Sequence, residues 1–311
     1  MSKTTRHPPT GHQTALARVP ASTSNLGSGF DTLGLAVGLH TLMRLTLRGE
    51  RGVQVHSEAA EADLLAAKAM IKEAVGAFCA RTGKNASGAA VRLSGNVPVA
   101  RGLGASAAVR VGVLVCLNLL TAAGLSRQDL LELATDLEGH PDNASPALFG
   151  GFTVSGRVGR SVRCLRFPVS PKLKLVVLVP RFAVKTEAAR RIMPASYPRS
   201  AAAHALNRTG LITAALATGR YRDLKGVFDD LFHQPYRKRL VPQLPAVVQA
   251  GVAAGALGGF LSGSGSAIIC LCLAGAEAIA RAMQSEMPES VVLTLGPENK
   301  GASARLVRVG P

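Results

Sequence analysis

Residues 101–109 read "RGLGASAAV": Gly102 and Gly104 stand one residue apart, small residues follow, and the chain runs on into an apolar stretch. Two glycines free the backbone for a tight turn and for close approach of a ligand. A helix starting just after them turns its free N–H groups and the positive end of its dipole back on the loop. That is an anion site suited to a di- or triphosphate. Ala105 and Ala107 are too small to obstruct it, and Ser106 offers a hydroxyl to a phosphate or its Mg²⁺. The segment lacks the Gly-Lys-Ser/Thr ending of a Walker A loop. It fits the G-x-G-x-x-A spacing of a dinucleotide fold but lies a third of the way down the chain, and about 20 residues on there is a buried helix, not an acidic strand end. Close helix–sheet packing also calls for glycine, and on this stretch alone the two readings stand level.

Two more segments shift the balance. "STSNLGSGFDTLGLAVGL" from Ser22 and "GALGGFLSGSGSAIICLCLA" from Gly255 also combine turns with small residues. Three such loops in one basic chain read as walls of one ligand site. Glu132 and Asp136 lie one turn apart on a helix whose other face is leucine-rich, which by pattern alone is a solvated strip.

The elements that must position these residues follow from periodicity. Alternation or continuous apolar runs predict strands at "TALARVP", "HTLMRLTLRG", "GVQVHSE", "GAAVRLSGNVPV", "GGFTVSG", "SVRCLRFPV", "KLKLVVLVP", "GFLSG", "SAIICLCLA" and "SVVLTLG". Helical spacing predicts "ADLLAAKAMIKEAVGAFCARTG" with Gly83 as its C-cap, a buried helix over 105–121, and one from a Ser126/Asp129 capping box to about Gly139. Further helices are expected at 186–192, 201–218, 221–232, "QLPAVVQAGVAAG" and 276–286. Strands and helices mix without regular alternation, which predicts an α+β protein of two lobes. The divisions expected are a flexible tail over 1–14, a first, nucleotide-binding lobe over 15–168, and a second over 169–311.

Composition narrows the function classes. A chain of 311 residues, 47% hydrophobic, can bury one large or two modest cores. Its five cysteines are scattered through apolar runs, as expected of buried thiols in a reducing compartment. The start lacks the apolar segment of a secretory signal, and no run reaches membrane-spanning length, so a cytoplasmic protein is expected. The net charge of +17 would suit a polyanionic substrate or nucleic acid, but Trp is absent and the arginines are dispersed, which disfavours base stacking.

The glycine segments together resemble the GHMP kinase superfamily. Its Pro-x-x-x-Gly-Leu-Gly-Ser-Ser-Ala signature is carried here as Pro98, Gly102, Leu103, Gly104, Ala105, Ser106 and Ala107. "VPASTSNLGSGFDTLGLAVGL" and "LSGSGSA" are similar to its first and third motifs. "EGHPDNASPALFGGF" (138–152), "VKTEAARRIMP" and "HQPYRKRLVP" resemble the homoserine kinase branch. The resemblance implies a first lobe like domain 2 of ribosomal protein S5, a ferredoxin-like second lobe, and ATP with Mg²⁺ between them. It implies transfer of the γ-phosphoryl to the side-chain hydroxyl of L-homoserine, giving O-phospho-L-homoserine for threonine biosynthesis. Relatives are commonly dimers.

Residue by residue, the resemblance puts the nucleotide on Pro98, Ala100, Arg101, Gly102, Leu103, Gly104, Ala105, Ser106 and Ala107, with Asp63 where an asparagine commonly meets adenine. Ser106 and Glu132, the latter eleven positions before Asn143, are the implied Mg²⁺ ligands. Asn25, Asp31, Asn143, Arg190, Arg237 and Gly263 are the implied substrate residues. Asp31 suits an ammonium and the arginines a carboxylate. Thr186 would face the phosphoryl group. Asp142 matches the base of mevalonate kinase relatives, whereas homoserine kinases dispense with a base and leave the hydroxyl beside Asn143. Ala105 and Ser266 depart from the usual serine and proline. Two rivals stand beside this reading: a GHMP kinase of another small alcohol such as threonine or shikimate, and a non-catalytic RNA-binding protein.

Overall fold

A computed structural model describes residues 13–48, 52–57, 61–86 and 88–307. Its first sheet is built on two long antiparallel strands, β1 (Thr14–Asn25) and β2 (Gly29–Leu47). β3 (Gly52–Ser57) and β4 (Gly88–Gly95) pair in parallel, so the chain between them must cross over, and α1 (Glu61–Thr82) makes that crossing. α2 (Ala105–Leu120), α3 (Arg127–Glu138) and the short α4 (Ala144–Phe149) follow. The hairpin of β5 (Phe152–Val158) and β6 (Ser161–Phe167) joins β2 at residues 33–35.

α2 is apolar nearly all round because it lies inside. Val111, Leu114 and Leu117 are fully buried in a core shared with the sheet, α1 and α3. Each such side chain contributes about 1.5–3 kcal/mol of burial free energy. The ends of α3 are fixed locally. Ser126 Oγ accepts from Asp129 N, Asp129 accepts in return from Ser126 N, and Gly139 closes the helix at φ 83°. Glu138 is therefore held in the last turn.

The second sheet contains β7 (Lys174–Val179), β8 (Gly258–Leu261), β9 (Ile268–Cys272) and β10 (Val291–Leu295), in the antiparallel order β10-β7-β9-β8. In chain order that is 4-1-3-2, the ferredoxin-like arrangement expected. α5 (Thr186–Arg191), α6 (Arg199–Thr218), α7 (Gln234–Arg237), α8 (Leu244–Ala253) and α9 (Ala276–Glu286) complete the lobe. α8 and α9 pack on one face of the sheet. The other face meets α6 and also Leu26, Leu33 and Leu35 of the first lobe, so one core runs through both lobes.

Three expectations change. Of the tail over 1–14, residues 1–12 lie outside the described residues, but Thr14 is buried in β1. The second lobe does not keep all of 169–311: β11 (Ser303–Val307) returns to the first sheet and pairs with β1, Thr14 opposite Val307. The helix expected over 221–232 is only a 3₁₀ turn at Tyr221–Leu224. Gly226, at φ 75°, breaks it, and Asp230 draws the backbone N–H groups of Phe232, His233 and Gln234 onto its carboxylate.

Candidate active site

β1 ends in a strained turn. Asn25, Leu26 and Asp31 have φ of 70°, 46° and 52°, left-handed values that cost an L-residue about 1–2 kcal/mol each. Polar contacts hold the turn open: Asn25 Oδ1 accepts from Asp31 N at 3.0 Å, and Asn25 Nδ2 donates to Gly263 O at 3.0 Å.

The other two glycine segments close on this turn. Ser22 N donates to Leu103 O (3.2 Å), Gly263 N to Ser24 O (3.2 Å) and Ala267 N to Arg101 O (3.0 Å). Ser262 Oγ lies 2.7 Å from Gly102 O and 2.8 Å from Thr23 Oγ1. The contact requires glycine. A Cβ on Gly102 would stand 2.0 Å from Ser262 O, and one on Gly104 would stand 2.0 Å from Ser22 Oγ and 3.0 Å from Asn143 Oδ1. Leading into the loop, Pro98 is half-buried. Ala100 O accepts from Val184 N (3.2 Å), and Arg101 donates to Pro180 O (3.0 Å) and Arg181 O (2.6 Å). α2 then starts at Ala105 with Gly104 at φ 66° and no side chain capping it. The small Ala105 and Ala107 flank Ser106 in its first turn.

The acid that faces Ser106 is Glu138, and this corrects the expectation of Glu132. Ser106 Oγ donates to Glu138 Oε2 at 2.8 Å. Glu138 Oε1 pairs with Arg110, whose other nitrogen reaches Glu73 at 2.9 Å. Glu132 instead accepts from Gln128 Nε2 at 3.2 Å, and Gln128 in turn bonds Val162 O on β6. Six residues rotate a helix by roughly 600°, leaving the two carboxylates about 120° apart on α3. Glu138 was in plain view, five residues before Asn143 in "EGHPDN". Asp63 stands half-buried in the first turn of α1, and no described hydrogen bond joins it to the loop.

Asp31 Oδ1 pairs with Arg190 Nη2 at 2.7 Å. Arg190 and Arg237 both stack over Phe30, at 5.4 and 5.2 Å from its ring centre. Phe30 escaped notice in the sequence because an aromatic in a glycine-rich segment carries no charge signal. Arg237 is 2% exposed and donates from Nη1 to Gly263 O at 2.9 Å. Burial, reinforced by Arg190, lowers its pKa to about 10, so it stays charged at neutral pH. Asn143 is fixed on both sides: Oδ1 accepts from Ser22 Oγ and Nδ2 donates to Ser24 Oγ, each at 2.9 Å. Asp142, 1% exposed, bonds His140 Nδ1 through Oδ1. Burial opposes a charge on His140, but the hydrogen bond and charge of Asp142 raise its pKa overall. The ligating atoms of Asp31, His140 and Asp142 fall within 4.8 Å of one another. Thr186 Oγ1 is 3.3 Å from Ser264 Oγ of the third glycine loop.

Residues 69–151 match the GHMP kinase N-terminal domain and residues 212–289 the GHMP kinase C-terminal domain. A homoserine kinase of Carboxydothermus hydrogenoformans is 38% identical, over 91% of this chain and 94% of its own. The chain belongs to the GHMP kinase family. A homoserine kinase of Moorella thermoacetica is 36% identical over 92% of this chain and 98% of its own. The crystal structure of homoserine kinase from Cytophaga hutchinsonii superposes with a TM-score of 0.82 at 27% identity, covering 97% of this chain and 100% of that one. As a GHMP kinase the chain uses ATP. Among the described residues no helix is long and apolar enough to cross a membrane.

Proposed function

We infer that this GHMP kinase transfers the γ-phosphoryl of ATP to the side-chain hydroxyl of L-homoserine. The observation that carries the reading is the Asp31–Arg190 pair beside Arg237 and Asn143. An acid and two arginines face one another where an amino acid would offer an ammonium and a carboxylate. The zwitterion can replace their mutual pairing charge for charge.

The residues fit Mg²⁺. A hydroxyl and a carboxylate oxygen 2.8 Å apart at a helix start are hard oxygen ligands of the kind Mg²⁺ takes. Ser106 and Glu138 would hold it, and it would neutralise charge on the terminal phosphate oxygens. The remaining catalysis is positioning. Loop amides of residues 102–107 receive the phosphates, with Thr186 at the mouth. Asp31, Arg190 and Arg237 orient the amino acid, with Asn25 and Gly263 supporting them, and Asn143 stands next to the attacking hydroxyl. Asp142 holds His140 through its Oδ1. Five free thiols support action in a reducing cytoplasm. A homodimer is the assembly proposed, measurable by sedimentation.

The test is a coupled ADP-release assay with homoserine, threonine, shikimate and mevalonate side by side. Homoserine is expected to give the highest kcat/KM. Shikimate has no ammonium for Asp31 and mevalonate none either, so both should be poor. Faster turnover of any other alcohol would overturn the substrate assignment, and RNA binding without ATP turnover would overturn the kinase.

A further inference from the structure

Arg237 is a buried guanidinium that forms no ion pair within 4.0 Å among the described residues, although the charges of Asp31, Asp142 and Asp230 reach it. Its supports are two carbonyls, Ala189 O at 3.3 Å from Nε and Gly263 O at 2.9 Å from Nη1, and one ring nitrogen, His233 Nδ1, at 3.3 Å from Nη1. A guanidinium can only donate, so His233 Nδ1 must accept. Its other nitrogen, Nε2, lies 2.7 Å from Gly27 O and must donate. These two neighbours fix one neutral tautomer. The ring itself is fully buried and anchored from behind. Asp230 accepts from the backbone N–H of Phe232, His233 and Gln234 at 2.8, 2.9 and 2.8 Å, and Gln234 Oε1 accepts from Leu261 N at 2.8 Å.

We propose that His233 is a positioning residue for substrate carboxylate recognition, its bare Nδ1 holding the Nη1 edge of Arg237 so that Nη2 is presented to the substrate. The role rests on the reading of Arg237 as a carboxylate-binding residue, and it assigns a function to a fully buried histidine. Burial disfavours protonation of the ring, which keeps the acceptor available at working pH.

Two substitutions separate this role from a structural one. His233→Asn keeps an acceptor oxygen where Nδ1 sits but loses the donor to Gly27. His233→Gln keeps a donor near Nε2 but loses the acceptor for Arg237. The full-length protein and its His233→Leu, His233→Asn and His233→Gln variants are compared for KM with L-homoserine, for KM with ATP, and for the preference of L-homoserine over its carboxamide. In His233→Leu, KM for homoserine should rise about tenfold and the preference for the acid fall by a like factor, with KM for ATP within about twofold. Asn should recover most of both losses and Gln neither. An unchanged homoserine KM in the Leu variant, or recovery by Gln as full as by Asn, would overturn the proposal. If the Leu variant does not fold, the Asn–Gln comparison decides. Absence of homoserine turnover in the wild type would instead remove the substrate reading on which the proposal rests.

Discussion

Six positions on α3 separate the carboxylate expected at the metal from the one that faces Ser106, and the difference is testable. Glu138→Ala should lower kcat/KM by on the order of 10²-fold or more and raise the Mg²⁺ concentration needed for half-maximal rate. Glu132→Ala should stay within about threefold of wild type, since it gives up one surface hydrogen bond. Equal losses in steady-state assays of the two variants would refute the assignment. Acid stability is a second residue-scale property. Burial pulls the pKa of His233 down to about 4, outweighing the charge of Asp230. The folded ring therefore refuses a proton that the unfolded ring accepts near its ordinary 6.5. Its contribution is intact above pH 6.5 and is lost as pH falls toward 4. Thermal melts across that window should decline less steeply in His233→Asn than in wild type. Parallel declines would show that other groups govern acid unfolding.

At the scale of elements, the loop before α2 depends on Gly102 and Gly104 for close contact as well as for a left-handed φ. Gly124 also has a left-handed φ, 72°, but open space around it. Gly124→Ala should cost only the backbone term, about 1 kcal/mol, with activity kept. Gly104→Ala adds a clash with Ser22 Oγ, and should both lower the melting midpoint further and weaken ATP binding measured by calorimetry. If both variants bind ATP as wild type does, the loop is not the nucleotide site. The same contrast explains what was readable here. The Ser126/Asp129 box and Gly139 mark the ends of α3 in local sequence, so α3 was legible. The segment after Tyr221 was not, because Asp230 satisfies three backbone donors through a turn that helical periodicity does not register.

At the scale of the whole molecule, +17 of net charge on 311 residues means self-repulsion in the folded state. Raising NaCl from about 0.02 to about 0.2 M shortens the screening length to under about 10 Å and should raise the melting midpoint by a few degrees. A flat or falling midpoint would mean that attractive pairs, such as Arg208 with Asp229 and Arg110 with Glu138, outweigh the repulsion. The exposed arginines Arg163 and Arg166 on β6, the outer strand of its hairpin, also discourage edge-to-edge pairing.

By itself the sequence determined the two-lobed class, most elements, and the three glycine loops with the residues that belong to them, because propensity, capping and steric need for glycine act over a few neighbouring residues. Only the tertiary structure decided that Glu138 rather than Glu132 meets Ser106 and that β11 leaves the second lobe to pair with β1. The first depends on the rotation of one helix against another and the second on a contact between the two ends of the described chain, and no local spacing encodes either.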